Sequence, residues 1–455
     1  MKDRIVILGG GESGTGAALL ARSRGFDVFV SDAGQIKEKF KADLKHHQID
    51  FEEGLHSEDK ILIATLIIKS PGIPEKAPIM KAVHDAHIPV IDEIEFAFRF
   101  IGDSKVVAIT GTNGKTTTTL LIYHLMKEAG LSVALAGNVG FSMARQIATG
   151  QFDWYVLEMS SFQLDGTETF KPDIGILLNI TPDHLDRYEY NLQNYVNSKF
   201  QLIENMEPQH TFIYYADDQV IGKEISSRPI VPDQVPVSLN PSSVAPVKFD
   251  GAEMTFNIKG SAFRIAQSDT SLKGPHNLIN TMASVVAAHL AGVNITIIRK
   301  ALATFKNAPH RLEPVGVIRG VEFINDSKAT NVDSVVYALG SFEAPLIWIA
   351  GGVDKGNDYR LIEDQVRRKV RTLICLGKDN SKLRNAFGRV VPQIIETQSV
   401  KELVRMALEA AQKGDVVLLS PACASFDLFK NYEDRGDQFR QAVQDLKNEI
   451  EEQRI

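Results

Sequence analysis

Apolar and polar positions along the chain alternate between two textures. Short, nearly continuous apolar runs recur: Ile5–Leu8, Val28–Val30, Leu62–Ile68 and Val90–Ile91 in one stretch, then Lys105–Ile109, Ser132–Leu135, Trp154–Leu157 and Ile174–Leu178, then Val321–Asn325, Leu346–Ala350, Thr372–Leu376 and Val416–Leu419. Between them lie stretches with helical character: Ala17–Arg24, Thr116 to about Ala129 with Gly130 as a C-terminal stop, the alanine-rich Asn277–Ala291, and Val400–Gln412. Strands alternating with helices predict mostly parallel sheets with helices on both faces. Between about 210 and 272 the texture changes. Alternating segments such as Glu253–Ile258 and Ala262–Ala266 sit among prolines and glycines, and predict a small antiparallel excursion.

A chain of 455 residues has room for about three domains, each able to bury its own core. The breaks fall near 98–104 and 308–311, giving 1–100, 101–308 and 309–455. The formal net charge of −7 argues against a general nucleic-acid binder and leaves room for a local basic pocket for phosphates. Two cysteines, Cys375 and Cys423, make no disulfide framework and fit a reducing compartment. MKDRIVILGG runs into a strand pattern without the features of a signal peptide, and no apolar run approaches the ~18 residues of a membrane span. A cytoplasmic protein with neither membrane nor nucleic-acid partners is expected.

The chemistry concentrates after the fifth apolar run. Ala108-Ile-Thr-Gly-Thr-Asn-Gly-Lys-Thr-Thr117 ends a strand and opens a helix. Polyphosphate binding needs that arrangement, because backbone N–H groups and the helix N-terminus converge on the anion. Gly111, Thr112, Asn113, Gly114, Lys115, Thr116 and Thr117 form the candidate loop. Lys115 offers a positive charge to the terminal phosphates and Thr116 a hydroxyl to Mg²⁺. Ile109 stands where the general phosphate-loop pattern has its first glycine, so this is a shorter variant. The plainer alternative is a glycine turn with a solvated lysine. Mg²⁺ prefers oxygen ligands. Glu158 ends one strand run, and Asn179 ends another just before Thr181-Pro-Asp-His-Leu-Asp-Arg187, which puts Asp183, His184 and Asp186 at the same rim. His184 is equally readable as a loop histidine with no ligand role.

Gly9, Gly11 and Gly14 also follow a strand and open a helix, with Asp32 about 20 residues on. Alone, this spacing suggests a dinucleotide-dependent dehydrogenase. It reports a backbone able to approach a diphosphate, which a nucleotide-linked sugar also carries. Asp32 is alternatively a structural end-of-strand residue. Two nucleotide-type turns in one chain favour a ligase or transferase over a dehydrogenase.

Gly111-Thr-Asn-Gly-Lys-Thr116 resembles the phosphate loop of the Mur ligases. Tyr155-Val-Leu-Glu-Met-Ser-Ser-Phe-Gln-Leu164, Thr181–Tyr188, Pro309-His-Arg-Leu-Glu313, Asn325-Asp-Ser-Lys-Ala-Thr-Asn331 and Ser420-Pro-Ala-Cys-Ala-Ser-Phe-Asp427 resemble that family's D-glutamate-adding branch. The resemblance spans nearly the whole chain. It implies an α/β fold of three domains: N- and C-terminal Rossmann-like parallel sheets flanking a central phosphate-loop ATPase-type domain with a small antiparallel sheet. It implies ATP and Mg²⁺, two ions, as cofactors, UDP-N-acetylmuramoyl-L-alanine and D-glutamate as substrates, an acyl-phosphate intermediate, and a monomer serving peptidoglycan synthesis.

Residue by residue, the resemblance assigns catalysis to Lys115, His184 and Lys199. Metal binding falls to Thr116, Glu158, His184 and Lys199, the last as a carbamate, since a bare ammonium beside Mg²⁺ is repulsive. Asn277, Asn280, Arg311 and Asp326 join the loop in holding ATP. Gly11, Ser13, Asp32, Ser70, Gly72, Asn138 and His184 fall on the UDP-substrate side. Lys328, Thr330, Lys355, Ser425, Phe426 and Tyr432 fall on the D-glutamate side. Glu12 and Ser13 stand where the family pattern has a less acidic pair. Competing readings are a sister ligase for another amino acid and a nucleotide-binding dehydrogenase, which would leave Lys115–Thr117 without employment.

Overall fold

The computed structural model describes residues 3–272 and 274–452. Three sheets organise them. The first contains β1 (Arg4–Leu8), β2 (Asp27–Asp32), β3 (Asp50–Glu53), β4 (Leu66–Lys69) and β5 (Val90–Ile91). Its order is β3-β2-β1-β4-β5 with every pair parallel. The direction of winding switches between β1 and β4, where an open α/β sheet leaves a crevice at its carboxyl ends. Ile5, Val6, Ile7 and Leu8 are all buried, as a strand covered on both faces requires. The expected strand Leu62–Ile68 is shorter than its apolar run. Glu58–Ile61 forms a helical turn with Leu62 as its cap, so the strand begins only at Leu66.

The central sheet has nine strands: β6 (Lys105–Thr110), β7 (Val133–Gly137), β8 (Trp154–Glu158), β9 (Ile174–Leu177), β10 (Thr211–Tyr215), β11 (Asp233–Ser238), β12 (Val247–Phe249), β13 (Glu253–Ile258) and β14 (Ser261–Ala266). The order is β14-β13-β12-β11-β10-β9-β6-β8-β7. Only β12 to β14 pair antiparallel. The excursion expected over 210–272 is therefore smaller than its span. It also contains two parallel strands, β10 and β11, that extend the main sheet.

The third sheet holds β15 (Glu313–Ile318), β16 (Val321–Asn325), β17 (Leu346–Ala350), β18 (Val370–Leu376), β19 (Gln393–Thr397) and β20 (Val416–Leu419), in the order β15-β16-β20-β17-β18-β19. All pairs are parallel except edge strand β15, which runs antiparallel to β16. Successive residues feed opposite layers: Ile324, Trp348 and Leu418 pack on one face, Phe323, Ile347 and Val417 on the other. Cys375 and Cys423 are free thiols buried in the first of these layers. The first two sheets belong to one compact unit and the third to another. No helix among the described residues is long and apolar enough to cross a membrane.

Candidate functional site

β6 delivers the chain into Gly111, and the helix Lys115–Glu128 starts after Gly114. Their φ angles of 146° and 88° lie where only glycine is comfortable. Space forbids a side chain too, since a Cβ on Gly114 would stand 2.4 Å from Asn280 Oδ1. The loop is held from the end of β9. Asn179 Oδ1 accepts from Asn113 N–H at 2.8 Å, Asn179 Nδ2 donates to the Asn113 carbonyl at 3.0 Å, and the Asn179 carbonyl accepts from Thr112 N–H. Thr112 Oγ1 donates to the Thr181 carbonyl and accepts from Thr181 N–H, with the Tyr195 hydroxyl 3.2 Å away. This joins the phosphate loop to the segment carrying Asp183 and His184. Thr116 and Thr117 lie in the first turn of the helix.

Two lysines converge on one carbonyl. Lys115 Nζ donates to the Gly111 carbonyl at 2.8 Å and to that of Thr112 at 2.8 Å, while Lys199 Nζ donates to the same Gly111 carbonyl at 2.9 Å. Lys199 is 1% exposed, with its nitrogen 4.6 Å from the centre of the Tyr195 ring. Burial pushes its pKa well below the ordinary lysine value, and the neighbouring Lys115 charge adds to the effect; Asp183 and Asp165 oppose it.

Glu158, at the end of β8, is also buried. Its Oε1 accepts from Asn138 Nδ2 at 2.8 Å, and its Oε2 has no hydrogen-bond partner among the described residues. A buried carboxylate oxygen left open in this way fits a hard cation. His184 takes a left-handed conformation, with its ring edge-on to Phe162. Partial burial lowers its pKa; Asp183 opposes this and Lys115 and Lys199 reinforce it. The neutral ring that results is the form that ligates metal.

In the first sheet the glycine cluster is spent differently. A Cβ on Gly14 would stand 1.8 Å from the Gly9 carbonyl oxygen, so Gly14 permits helix-to-strand packing, whereas Gly11 faces open space. Asp32 Oδ2 accepts from Gly10 N–H at 2.6 Å and its Oδ1 from Gly34 N–H at 2.8 Å. The carboxylate assigned to the UDP-substrate thus also braces its own loop. Glu12, the acidic misfit of the sequence, accepts from Arg145 Nε at 2.7 Å and from Ser142 N–H at 3.2 Å, and Arg145 also bonds Asp43. Ser70 N–H donates to the Leu8 carbonyl, and the Gly72 carbonyl accepts from Arg187 at 3.2 Å. Gly72 also lines a cavity of about 400 Å³ with Ala33, His56, Glu58, Ile73 and Pro74.

In the second unit, Lys328 Nζ lies 3.8 Å over the Tyr432 ring, a cation–π contact between two residues assigned to the same substrate. Ser425 is buried and Phe426 is 69% exposed. Thr330 N–H donates to the Lys328 carbonyl. Lys355 sits in a turn whose Asp354 Oδ1 accepts from Gly356 N–H. Asp326, assigned to ATP, accepts from Ser420 Oγ and Leu312 N–H, and burial pushes its pKa up to about 7. The sequence placed Arg311 beside it, and its charge lowers that value. Asn277 and Asn280 are buried in the helix Pro275–Leu290.

Sequence reasoning missed the clamp role of Asn179 and the part of Tyr195 beneath Thr112. It also missed Arg435. Asn179 had been singled out only as a strand end, and nothing local signalled its partner.

Comparison with known proteins agrees over nearly the whole chain. Residues 4–79 match the MurD N-terminal domain, 109–288 the Mur ligase middle domain, and 310–423 the Mur ligase glutamate ligase domain. The UDP-N-acetylmuramoylalanine–D-glutamate ligase of Cytophaga hutchinsonii is 54% identical over 98% of this chain and 100% of its own. The enzyme of the same name from Christiangramia forsetii is 49% identical over 98% of this chain and 100% of its own. Among solved structures, the UDP-N-acetylmuramate–alanine ligase of Thermotoga maritima superposes with a TM-score of 0.62 at 18% identity, covering 98% of this chain and 100% of its own, a likeness of fold alone.

Proposed function

The chain belongs to the Mur ligase family, and from that premise we propose that it joins D-glutamate to UDP-N-acetylmuramoyl-L-alanine at the expense of ATP, for peptidoglycan precursor synthesis. The observation that carries the chemistry is the convergence of Lys115 and Lys199 on the Gly111 carbonyl. The choice of amino acid is supported by the activity named for relatives matched along the whole chain.

The substrate carboxylate attacks the γ-phosphorus and ADP leaves. The D-glutamate amine then attacks the acyl-phosphate carbon, loses a proton, and phosphate departs. Lys115 and the loop amides offset charge as the carboxylate meets the γ-phosphate. Thr116 and Glu158 would hold one Mg²⁺, and Glu158, His184 and carbamylated Lys199 a second. These ions would neutralise part of the phosphate charge. The open Glu158 oxygen fits them, and so does a Lys199 amine kept neutral enough to react with CO₂. Asn277, Asn280, Arg311 and Asp326 contact ATP. Gly11, Ser13, Asp32, Ser70, Gly72, Asn138 and His184 face the UDP-substrate. Lys328, Thr330, Lys355, Ser425, Phe426 and Tyr432 face D-glutamate. The domains are 1–100, 101–308 and 309–455, in a monomeric cytoplasmic enzyme.

The test is phosphate release from ATP with UDP-N-acetylmuramoyl-L-alanine and a panel of L-alanine, D-glutamate, L-lysine and diaminopimelate. Release only with D-glutamate is expected. Release driven by another amino acid overturns the reading.

A further inference from the structure

We propose that Arg435 is the positioning residue of the amino-acid site: one buried guanidinium fixes the relative placement of the four segments that carry that site's side chains. This rests on the D-glutamate reading above.

Arg435 lies in the first turn of the helix Tyr432–Glu452 and is 1% exposed. Its Nε donates to Ser327 Oγ and its Nη2 to the Ser327 carbonyl, both at 2.9 Å. Its Nη1 donates to the Gly351 carbonyl at 3.3 Å and the Cys423 carbonyl at 3.2 Å. Ser327 Oγ passes the connection on, donating to the Tyr432 carbonyl at 2.9 Å. Each acceptor lies within four residues of an assigned residue. Ser327 precedes Lys328, Gly351 starts the segment leading to Lys355, Cys423 precedes Ser425 by two positions, and Tyr432 begins Arg435's own helix.

Every direct acceptor is neutral. Asp427 and Asp326 reach the guanidinium only through space, and burial lowers its pKa to about 10, so it stays charged at neutral pH. Burying a cation without a direct ion pair is costly, and an apolar side chain would fill the space more cheaply. What an apolar residue cannot do is donate along several fixed directions from one plane, and lysine cannot do so either. The next residue shows how closely this helix start is seated. A Cβ on Gly436 would stand 2.1 Å from His310 Nδ1, and the His310 carbonyl accepts from Lys328 N–H.

The experiment compares Arg435→Lys and Ser327→Ala with the unaltered protein by steady-state kinetics for all three substrates and by thermal melting. Arg435→Lys keeps the charge and loses the fork. It is expected to raise KM for D-glutamate about tenfold or more, with KM for ATP and for UDP-N-acetylmuramoyl-L-alanine within about threefold. Ser327→Ala is expected to give a smaller rise for the same substrate. An unchanged D-glutamate KM in Arg435→Lys, or a parallel rise of all three KM values with a fall in melting temperature, overturns the proposal. If Arg435→Lys does not fold, Ser327→Ala decides, and an unchanged D-glutamate KM there overturns it. Absence of D-glutamate-dependent turnover in the unaltered protein would fail the ligase reading instead, so the two failures are distinguishable.

Discussion

Gly9–Gly14 and Gly111–Gly114 are both glycine turns between a parallel strand and a helix, yet their polar groups are invested in opposite ways. At the first, an acidic side chain, Asp32, accepts from a loop amide, and Glu12, which follows Gly11 within the turn, is tied to Arg145. At the second, the loop is braced by a neutral amide, Asn179, so the bracing adds no negative charge. Cationic Lys115 and a buried carboxylate oxygen with no partner among the described residues complete that rim. The same strand–turn–helix order therefore serves two environments, although the residue capping each helix differs in conformation, with Gly11 at φ −78° and Gly114 at φ 88°. The side chains delivered by neighbouring strands set the charge around each turn.

Substitutions can break this contrast. Lys115→Ala removes the charge at the second turn and is expected to lower ligase turnover by about 10³-fold or more while leaving far-UV circular dichroism and the melting temperature nearly unchanged. Near-normal phosphate release in the folded variant would show that the turn does not depend on that cation. Lys199→Ala should be almost as inactive, and added acetate should restore part of the activity by supplying a carboxylate in place of the proposed carbamate. A variant that stays active without acetate would remove Lys199 from the chemistry. Asn179→Ala leaves the loop polar but loosens it, and KM for ATP should rise about tenfold with D-glutamate KM little changed. Equal affinity for ATP in a nucleotide titration would show that the clamp is dispensable. The smallest effect is expected at the first turn. Asp32→Asn keeps an acceptor for one of the two amides, so KM for the UDP-substrate should rise only about threefold and ATP binding should not change. A large loss there would mean that Asp32 does more than hold its loop.

Much of this was legible in the sequence. The phosphate loop could be read because its glycines, lysine and threonine are adjacent, and the helix after it was expected to start at Thr116 and starts at Lys115. Long apolar runs gave the central strands of each sheet. The run Leu62–Ile68 misled because apolar residues do not mark where a helical turn ends and a strand begins. Strand β11 escaped because its polar and proline positions mimic a loop, and β10, although mostly apolar, because it opens that same stretch; parallel pairing of β10 with β9 and of β11 with β10 supplies the order that composition hides. Arg435 was invisible for another reason. Three of its four acceptors are main-chain carbonyls, which every residue has, so no motif can point to them.

The two buried thiols give the second unit a built-in clock. Alkylating reagents react with thiolate, and burial pushes Cys375 up to about 12 and raises Cys423 as well. Alkylation of either sulfur at neutral pH is therefore expected to wait on opening of its surroundings. Cys375 lies in β18 with its side chain in the buried layer on one face of the sheet, so its labelling would follow loosening of that layer, whereas Cys423 lies in the segment after β20 and its labelling would follow release of that segment. Mass-resolved labelling of the unaltered protein would time the two openings separately, with no probe introduced. Slower modification of Cys423 with D-glutamate present would register substrate engagement as a change in local lifetime.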